Sequence, residues 1–273
     1  MTKPIFVIGS GRSGTRSIFR MLTGEAECDI HHEYQCLEVQ KLAALYAMKM
    51  LSKDAAIKRL SDIYIPAVHH SKKMFWIDSS NKCSWIVELL VEIFPDAKFV
   101  LFTRNGKKVV PSFYYKLSQE MYDDEAVDTM MSWLFGNETV EAPTEKRFWW
   151  YIPREPDRLE KFKKYDQFER ACFHWAEVHR VALRQLEDLP KNQYRIIKFE
   201  DFASTPSVVK SFCDFMGFGD AEFMLEYLKT PRNAFYPMDT NIPNSRLNDF
   251  ENICGETMDL LGYDRGSNYV VEY

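Results

Sequence analysis

Residues 5–15 read IFVIGSGRSGT, a short β-prone apolar run that leads into a glycine-rich loop. The residues that follow, up to Leu22, carry apolar side chains at helical spacing. This segment therefore predicts a strand, a glycine loop and a helix. In such a context the backbone N–H groups and the helix dipole can hold a phosphate or a sulfate, and the glycines allow close approach to the backbone.

The loop differs from the G-x-x-x-x-G-K-[ST] loop of nucleoside triphosphatases. Gly9 and Gly14 have the required spacing, but Thr15 and Arg16 stand where the lysine and the serine or threonine would be. The apolar runs at 98–103 and 194–198 do not end in an acidic residue that would support magnesium, because Arg104 follows the first and Glu200 follows the second only after a basic residue. The sequence therefore favours metal-free binding of an anion by Arg12, hydroxyl groups and backbone amides, with a purely structural turn as the alternative.

Strands and helices alternate along the rest of the chain. Strands are predicted at residues 5–8, 75–78, 98–103 and 194–198, and helices at 13–22, 33–51, 54–69, 84–94, 107–116, 166–189, 206–216 and 221–228. The run KFVLFT at 98–103 is typical of a strand buried in a parallel sheet. We therefore expect an α/β fold with a central parallel sheet flanked by helices, as a single domain over residues 1–273.

The alternation is interrupted at residues 121–165, which are rich in aromatic and charged side chains. We predict a mainly helical insertion over the edge of the active site. Aromatic residues at this density are more typical of additional core than of ligand contacts. The basic residues Arg147, Arg154 and Arg158 could nevertheless line an acceptor pocket.

Composition excludes several classes of protein. Of the 273 residues 46% are hydrophobic, which is enough for a sizeable core, and the net charge of −5 argues against a general nucleic-acid binder. The six cysteines form no C-x-x-C pair, so their spacing indicates neither a zinc site nor a disulfide framework. No run of 18 apolar residues and no leader-like segment is found, so no membrane span is expected and a cytoplasmic location is the default expectation.

Three segments resemble the sulfotransferase family, whose donor is 3′-phosphoadenosine 5′-phosphosulfate (PAPS). Arg12-Ser13-Gly14-Thr15 matches the loop signature [KR]-[ST]-G-T, in the arginine form of the tyrosylprotein branch. Residues 99–112 match the second signature, a strand that ends in Arg104 with Ser112 eight residues later. Residues 196–202 match the third, around Phe199. The resemblance spans roughly residues 4–217 and implies a P-loop-like sulfotransferase fold.

The resemblance also implies how the donor is bound. Arg104 and Ser112 would bind its 3′-phosphate, Phe199 would stack on adenine, and the loop would hold the 5′-phosphosulfate without a metal. For Arg246, near the C-terminal Leu-Gly-Tyr, contact with a donor phosphate and an unrelated role are equally open. The donor-binding residues implied are Ser10, Gly11, Arg12, Ser13, Gly14, Thr15, Arg16, Ser17, Arg104, Ser112, Phe199 and Arg246. Arg16 stands where the family often has Thr, and Gly106 stands where it commonly has Pro. We expect donor binding to survive both differences.

Sulfuryl transfer also needs a residue that takes the proton of the acceptor. Members of the family use histidine or glutamate, and His31-His32-Glu33 follows the loop helix after a short polar link. The resemblance favours Glu33 as the base, with Arg12 stabilising the leaving group, because Glu33 lies 21 residues after Arg12 as in the tyrosylprotein branch. His32 is the alternative base. A structural role for Glu33 at the start of helix 33–51 also stays open.

Two other functions are compatible with the sequence. One is a small-molecule or nucleotide kinase on the same P-loop architecture, and the other is a non-catalytic protein that binds adenosine 3′,5′-bisphosphate. These motifs do not specify the acceptor, which could be a small molecule, a sugar or a peptide that reacts through a hydroxyl or an amine. They do not specify the oligomeric state either. Lys82 could assist at the sulfate, although a solvated lysine is the more frequent outcome.

Overall fold

The computed structural model describes residues 2–136, 141–229 and 241–265. Within them five parallel strands form one sheet in the order β2-β3-β1-β4-β5. The strands are β1 Lys3–Gly9, β2 Cys28–His32, β3 Phe75–Ser79, β4 Lys98–Thr103 and β5 Tyr194–Lys198. The predicted α/β class with a central parallel sheet is confirmed.

Helices cover both faces of the sheet. They are α1 Thr15–Leu22, α2 Cys36–Ala47, α3 Lys53–His70, α4 Val87–Ile93, α5 Gly106–Lys116, α6 Asp124–Phe135, α7 Pro156–Phe162, α8 Gln167–Glu187, α9 Phe199–Ser204, α10 Pro206–Met216, α11 Glu222–Lys229 and α12 Leu247–Leu260. Short 3₁₀ turns lie at Lys82–Trp85, Lys146–Phe148 and Asn244–Arg246. None of the helices in these described ranges is both long and apolar enough to cross a membrane.

Strand β1 supplies side chains to two hydrophobic cores. Phe6 and Ile8 belong to the core shared with α2, α3, α4 and α8, while Ile5 and Val7 belong to the core shared with α1, α10 and α11. Burial on both faces explains why β1 and β4 are nearly continuous apolar runs rather than alternating ones. The two cores fix the sheet between its helical layers.

The strand pairings bring the carboxyl ends of the strands to one edge of the sheet. Gly9 pairs with Phe102, Val7 and His32 both pair with Ser79, and Thr103 pairs with Lys198. In open parallel sheets ligands bind at this edge, because the segments that follow the strands converge there. The glycine loop, Glu33, Lys82, Arg104 and Phe199 all follow directly from strand ends at this edge.

The segment predicted to be a short polar link forms strand β2. Its residues CDIHH are only half buried, and they pair with β3 at the margin of the sheet. The helix predicted from residue 33 begins at Cys36, so Glu33 lies between β2 and α2 rather than in the first helical turn. The alternative role of Glu33 as a helix N-terminal carboxylate is therefore wrong.

Residues 121–165 contain α6, a 3₁₀ turn and α7, and several of their aromatic side chains are core. Phe148 and Trp149 are buried within the larger core. The Tyr122 hydroxyl donates to the Tyr151 carbonyl over 2.6 Å, and Trp149 Nε1 donates to the Pro143 carbonyl over 3.1 Å. The described residues of this segment thus pack against the sheet and its helices, and Lys146 among them reaches Glu33 beside the carboxyl edge.

Candidate active site

The loop after β1 adopts backbone angles that require glycine. Gly11 and Gly14 have φ values of 81° and 108°, and Arg12 between them has a φ of 56°. A Cβ atom at Gly14 would overlap the ring of Phe199. Ser84 fixes the start of the loop, since its hydroxyl donates to the Gly9 carbonyl over 2.8 Å and accepts from the Gly9 N–H over 2.9 Å.

The loop presents unpaired donors. The described residues provide no hydrogen-bond acceptor for the backbone N–H groups of residues 11–16, and the ladder of α1 begins with the Ser17 N–H donating to the Gly14 carbonyl. The hydroxyl of Ser13 is buried and also has no partner. Buried polar groups are normally paired, so this set of donors fits an anion at the start of α1.

Two guanidinium groups lie at the loop, that of Arg12 within it and that of Arg104 beside it. Arg12 Nε donates to Ser112 Oγ over 2.9 Å, and Arg104 Nη1 donates to the Arg12 carbonyl over 3.1 Å. Arg104 also lies over the ring of Phe199, with Cζ 5.6 Å from the ring centre. No carboxylate in the described part of the chain forms an ion pair with either arginine, and Arg104 Nε has no partner. The pKa of Arg12 lies below its usual value because of burial and the nearby charges of Arg104 and Arg16.

A network behind Arg104 holds its backbone in place. Trp175 Nε1 donates to the Arg104 carbonyl over 3.2 Å, and the Asn105 N–H donates to Glu200 Oε1 over 2.9 Å. The Tyr263 hydroxyl donates to the other oxygen of Glu200 over 3.0 Å. The side chain of Asn105 caps α5 by accepting from the Lys107 N–H over 2.8 Å. These bonds position Arg104 and the helix that carries Ser112.

Glu33 is held by two lysines. Lys82 Nζ donates to its Oε1 over 2.7 Å, and Lys146 Nζ donates to its Oε2 over 3.0 Å. Burial would raise the pKa of Glu33, but the charges and hydrogen bonds of the two lysines outweigh it and hold the pKa at about 2. Glu33 is therefore an ionised carboxylate that carries no proton near neutral pH.

Lys82 is 5% exposed, so the expectation of a solvated lysine is wrong. Burial lowers the pKa of Lys82, while the charge of Glu33 opposes that shift. Lys146 comes from the 3₁₀ turn Lys146–Phe148, and no sequence pattern indicates that it reaches Glu33. The structure thus adds two cations to the candidate site.

The two histidines before Glu33 lie in different surroundings. His32 Nδ1 is 2.8 Å from the Ser79 carbonyl, and its ring packs on Phe19 of α1 with 5.6 Å between ring centres. Burial lowers the pKa of His32, so its ring is neutral near neutral pH. His31 Nε2 lies 3.1 Å from Asp29, and its ring packs against Trp76. Glu33, in contrast, faces Lys82 and Lys146.

The remaining predicted residues lie close to the loop, with one exception. Ser10 donates to the Gly11 carbonyl over 3.0 Å, and the Thr15 carbonyl accepts from Ser79 Oγ over 2.6 Å. Arg16 and Ser17 lie on the first turn of α1. Arg246 instead pairs with Asp166 over 2.6 Å and lies over Phe168, and no contact with the loop is found among the described residues. Its contact with a donor phosphate stays a prediction.

The part of the chain that the structure describes contains no group of three or more His, Cys, Asp or Glu side chains arranged to hold a metal ion. Apart from the carboxylate of Glu33, which is paired with two lysines, the polar groups described above beside the loop are guanidinium, ammonium, hydroxyl and backbone N–H. This donor set fits an anionic ligand.

The fold is that of sulfotransferases of known structure. The sulfotransferase domain from the curacin biosynthetic pathway matches with a TM-score of 0.51 at 16% identity, covering 97% of this chain and 99% of that one. A sulfotransferase from Alicyclobacillus acidocaldarius matches with a TM-score of 0.53 at 15% identity, covering 97% of each chain. One from Mycobacterium avium matches with a TM-score of 0.50 at 13% identity, covering 96% of this chain and 78% of that one.

Residues 4–142 match the model of the sulfotransferase family. The matched region contains the glycine loop, Glu33, Lys82, Arg104 and Ser112. The chain therefore belongs to the sulfotransferase family, as the three resembling segments predicted, and it is a sulfotransferase.

Proposed function

We propose that the chain transfers a sulfuryl group from PAPS to a hydroxyl group, or an amine, of an acceptor. The observation that carries the proposal is the junction of Arg12, Ser112 and Arg104 beside a loop with unpaired N–H groups. A ligand with anionic groups at two positions of the ribose would satisfy both sets of donors at once. We treat residues 1–273 as one domain, with 121–165 as an insertion.

The donor-binding roles follow from these contacts. Residues 10–17 would hold the 5′-phosphosulfate through backbone N–H groups and hydroxyls, and Arg104 with Ser112 would bind the 3′-phosphate. The ring of Phe199 lies against Gly14 and beneath the guanidinium of Arg104, which supports a position next to the adenine. When bound, the donor supplies a sulfuryl group that passes to the acceptor atom as its bond to the 5′-phosphate oxygen breaks.

The catalytic roles fall to charged groups on either side of that bond. Arg12 would stabilise the negative charge that develops on the phosphate oxygen of the leaving adenosine 3′,5′-bisphosphate. A Glu33 carboxylate oxygen would take the acceptor's proton. Lys82 lies 2.7 Å from Glu33 and would stabilise the sulfuryl oxygens during transfer. Because a pKa of about 2 makes Glu33 a weak base, the proposal requires that its contact with Lys146 loosens when the acceptor binds.

His32 is the alternative base, and its surroundings make it less suitable. Its ring packs on Phe19 of α1, whereas Glu33 pairs with Lys146 of the insertion. We therefore assign proton removal to Glu33. Full turnover by Glu33→Gln together with loss of turnover in His32→Ala would reassign the base.

A ligand-binding comparison tests the proposal against its rivals. Adenosine 3′,5′-bisphosphate should raise the melting temperature without magnesium, and adenosine 5′-monophosphate should raise it less. Stabilisation by Mg-ATP alone would instead support a kinase. Labelled PAPS with a panel of acceptors then separates an enzyme from a non-catalytic binding protein, since only an enzyme yields a sulfated product that Arg12→Ala diminishes by orders of magnitude.

A further inference from the structure

A small cavity lies beside the pair of Glu33 and Lys82. Its volume is ≈ 20 Å³, which is room for about one water molecule or one hydroxyl group. Aromatic and polar side chains line it, namely Gln40, Asn81, Lys82, Trp85, Trp149, Trp150, Tyr151 and His174. Through Lys82 the cavity adjoins the carboxylate of Glu33.

Gln40 brings a hydrogen-bond acceptor without a partner to this cavity. Its Nε2 donates to two backbone carbonyls of the insertion, those of Lys146 at 3.2 Å and Trp149 at 2.9 Å. Because carbonyls only accept, these contacts fix the orientation of the amide and identify the other atom as Oε1. Gln40 is 4% exposed, and its Oε1 is buried with no donor among the described residues.

His174 brings a second acceptor. Its Nε2 lies 3.2 Å from the Ser10 carbonyl, so Nε2 carries the hydrogen. Burial lowers the pKa of His174 to about 3, and the ring is therefore neutral. Nδ1 is then a lone-pair acceptor, and it too is buried without a partner in the part of the chain that is described. The residue is 2% exposed.

Together with Oδ1 of Asn81, which also lines the cavity and is buried without a partner among the described residues, these acceptors require a ligand that donates hydrogen bonds. A phosphate, a sulfate or a carboxylate would bring only further acceptors, and Lys82, the cation that lines the cavity, is already paired with Glu33 at 2.7 Å. The basic residues of the insertion do not alter this, because Arg147 pairs with Glu125 at 2.9 Å and Arg158 pairs with Glu177 at 2.7 Å.

We propose that this cavity binds a second, non-reacting hydroxyl group of the acceptor, and that the acceptor is a neutral sugar or glycoside. This inference rests on the proposed sulfuryl transfer at Glu33. One hydroxyl of the sugar faces Glu33 and is sulfated, while a neighbouring hydroxyl donates to Gln40 Oε1 or His174 Nδ1. A water molecule fills the same position in the resting enzyme and is displaced when the sugar enters.

The test uses the full chain with PAPS and three groups of acceptors. These are methyl glycosides of neutral hexoses, the corresponding uronates, and 4-nitrophenol as a ring with a single hydroxyl. At least one neutral glycoside should be sulfated with a kcat/KM about 10-fold or more above its uronate and above the phenol. For that glycoside, the deoxy analogue that lacks the non-reacting hydroxyl should lose about 10-fold in kcat/KM.

Two variants connect this preference to the cavity. In Gln40→Met and His174→Phe the KM for the glycoside should rise about 10-fold, and the deoxy analogue should no longer be discriminated against. Gln185→Met and His179→Phe are matched controls and should keep both properties. Gln185, on α8, is buried like Gln40. His179 is a fully buried histidine whose Nδ1 lies 2.7 Å from the Trp175 carbonyl and whose Nε2 has no partner among the described residues. Neither control residue lines the cavity.

The outcomes separate this inference from the proposed function. Sulfation of only uronates or phenols, or unchanged discrimination in both cavity variants, would overturn the sugar assignment while leaving PAPS-dependent transfer intact. Failure to sulfate any of the panel would also overturn it if adenosine 3′,5′-bisphosphate still stabilises the protein. If the bisphosphate does not bind, the proposed function itself fails, and the inference falls with it.

Discussion

Arg12 Nε donates a hydrogen bond to Ser112 Oγ over 2.9 Å, although 100 residues separate the two in sequence. The bond joins the loop after β1 to α5, which follows β4, and β1 and β4 are neighbours in the sheet. Arg104 completes the junction by donating to the backbone carbonyl of Arg12. The two halves of the proposed donor site are therefore connected before any ligand binds.

Ser112→Ala removes this bond and one hydroxyl of the proposed 3′-phosphate site. The KM for PAPS should rise about 10- to 100-fold, since hydrogen bonds to charged groups contribute about 1.5–3 kcal/mol, and kcat should change little. Steady-state kinetics with varied PAPS measure both constants. Ser207→Ala on the exposed side of α10 is the control, and an unchanged KM in Ser112→Ala would count against the role of Ser112.

Arg104→Ala should reduce the preference for a 3′-phosphate. Hydrogen bonds to charged groups contribute about 1.5–3 kcal/mol, so affinity for adenosine 3′,5′-bisphosphate should fall about 10- to 100-fold. Affinity for adenosine 5′-monophosphate should fall much less, because that ligand has no 3′-phosphate. Calorimetric titration with both nucleotides gives the comparison, and an equal loss for the two would contradict the assignment.

Glu33→Gln should separate catalysis from stability. Transfer should drop by about 10²- to 10⁴-fold through loss of the base. The free energy of unfolding should also fall by about 1–3 kcal/mol, because Lys82 is left buried with an uncompensated charge. Adding Lys82→Met should restore part of the stability, measured by urea unfolding, while transfer stays low. A double variant that recovers activity would show that Glu33 is not the base.

Lys146→Met should alter the pH dependence. Lys82 and Lys146 together hold the pKa of Glu33 at about 2, so loss of one cation raises that pKa. The carboxylate acts as a base only when ionised, and activity falls as the pH drops through its pKa. The acid limb of kcat/KM should therefore move to higher pH in the variant.

A neighbouring lysine provides the control for this measurement. Lys41 Nζ lies 4.9 Å from the ring centre of Trp149 and makes no ion pair with Glu33. Lys41→Met should leave the acid limb in place. The same shift in both variants would indicate a general change in charge rather than a direct contact with Glu33.

Gly14→Ala should destabilise the loop for two physical reasons. The φ of 108° is unfavourable for alanine, and the added Cβ would overlap the ring of Phe199. We expect a loss of about 2–4 kcal/mol in the free energy of unfolding. Phe199→Ala in the same chain should relieve the overlap but not the backbone strain. A double-mutant cycle measures this, and strictly additive effects would exclude a direct contact.

Much of the fold could be predicted because its central strands are local signals. KFVLFT gives β4 and YRIIK gives β5 with the observed bounds, and the helix at 206–216 is also reproduced. The glycine loop between β1 and α1 is equally visible, since its residue types are dictated by backbone angles. These features depend on neighbours in sequence, which pattern analysis can detect.

The missed features depend on contacts between distant residues. The residues CDIHH form β2 only because they pair with β3, and their own pattern is not β-like. Lys82 looks solvated in sequence, yet the segment that follows β3 buries it against Glu33. Lys146 reaches Glu33 from 113 residues away, and it lies in a segment whose sequence has no regular pattern. Arg246 finds a carboxylate partner in Asp166, 80 residues earlier.

Gln40 ties down the backbone at Lys146 and Trp149, so residues 146–151 are anchored to α2 rather than to the loop after β1. This one short stretch carries both a charged partner of Glu33 and three aromatic walls of the cavity. Exchanging it should redirect which acceptors are modified while the proposed donor-binding residues are left intact. The preference for an acceptor can therefore diversify, or be engineered, by exchange of this short stretch alone.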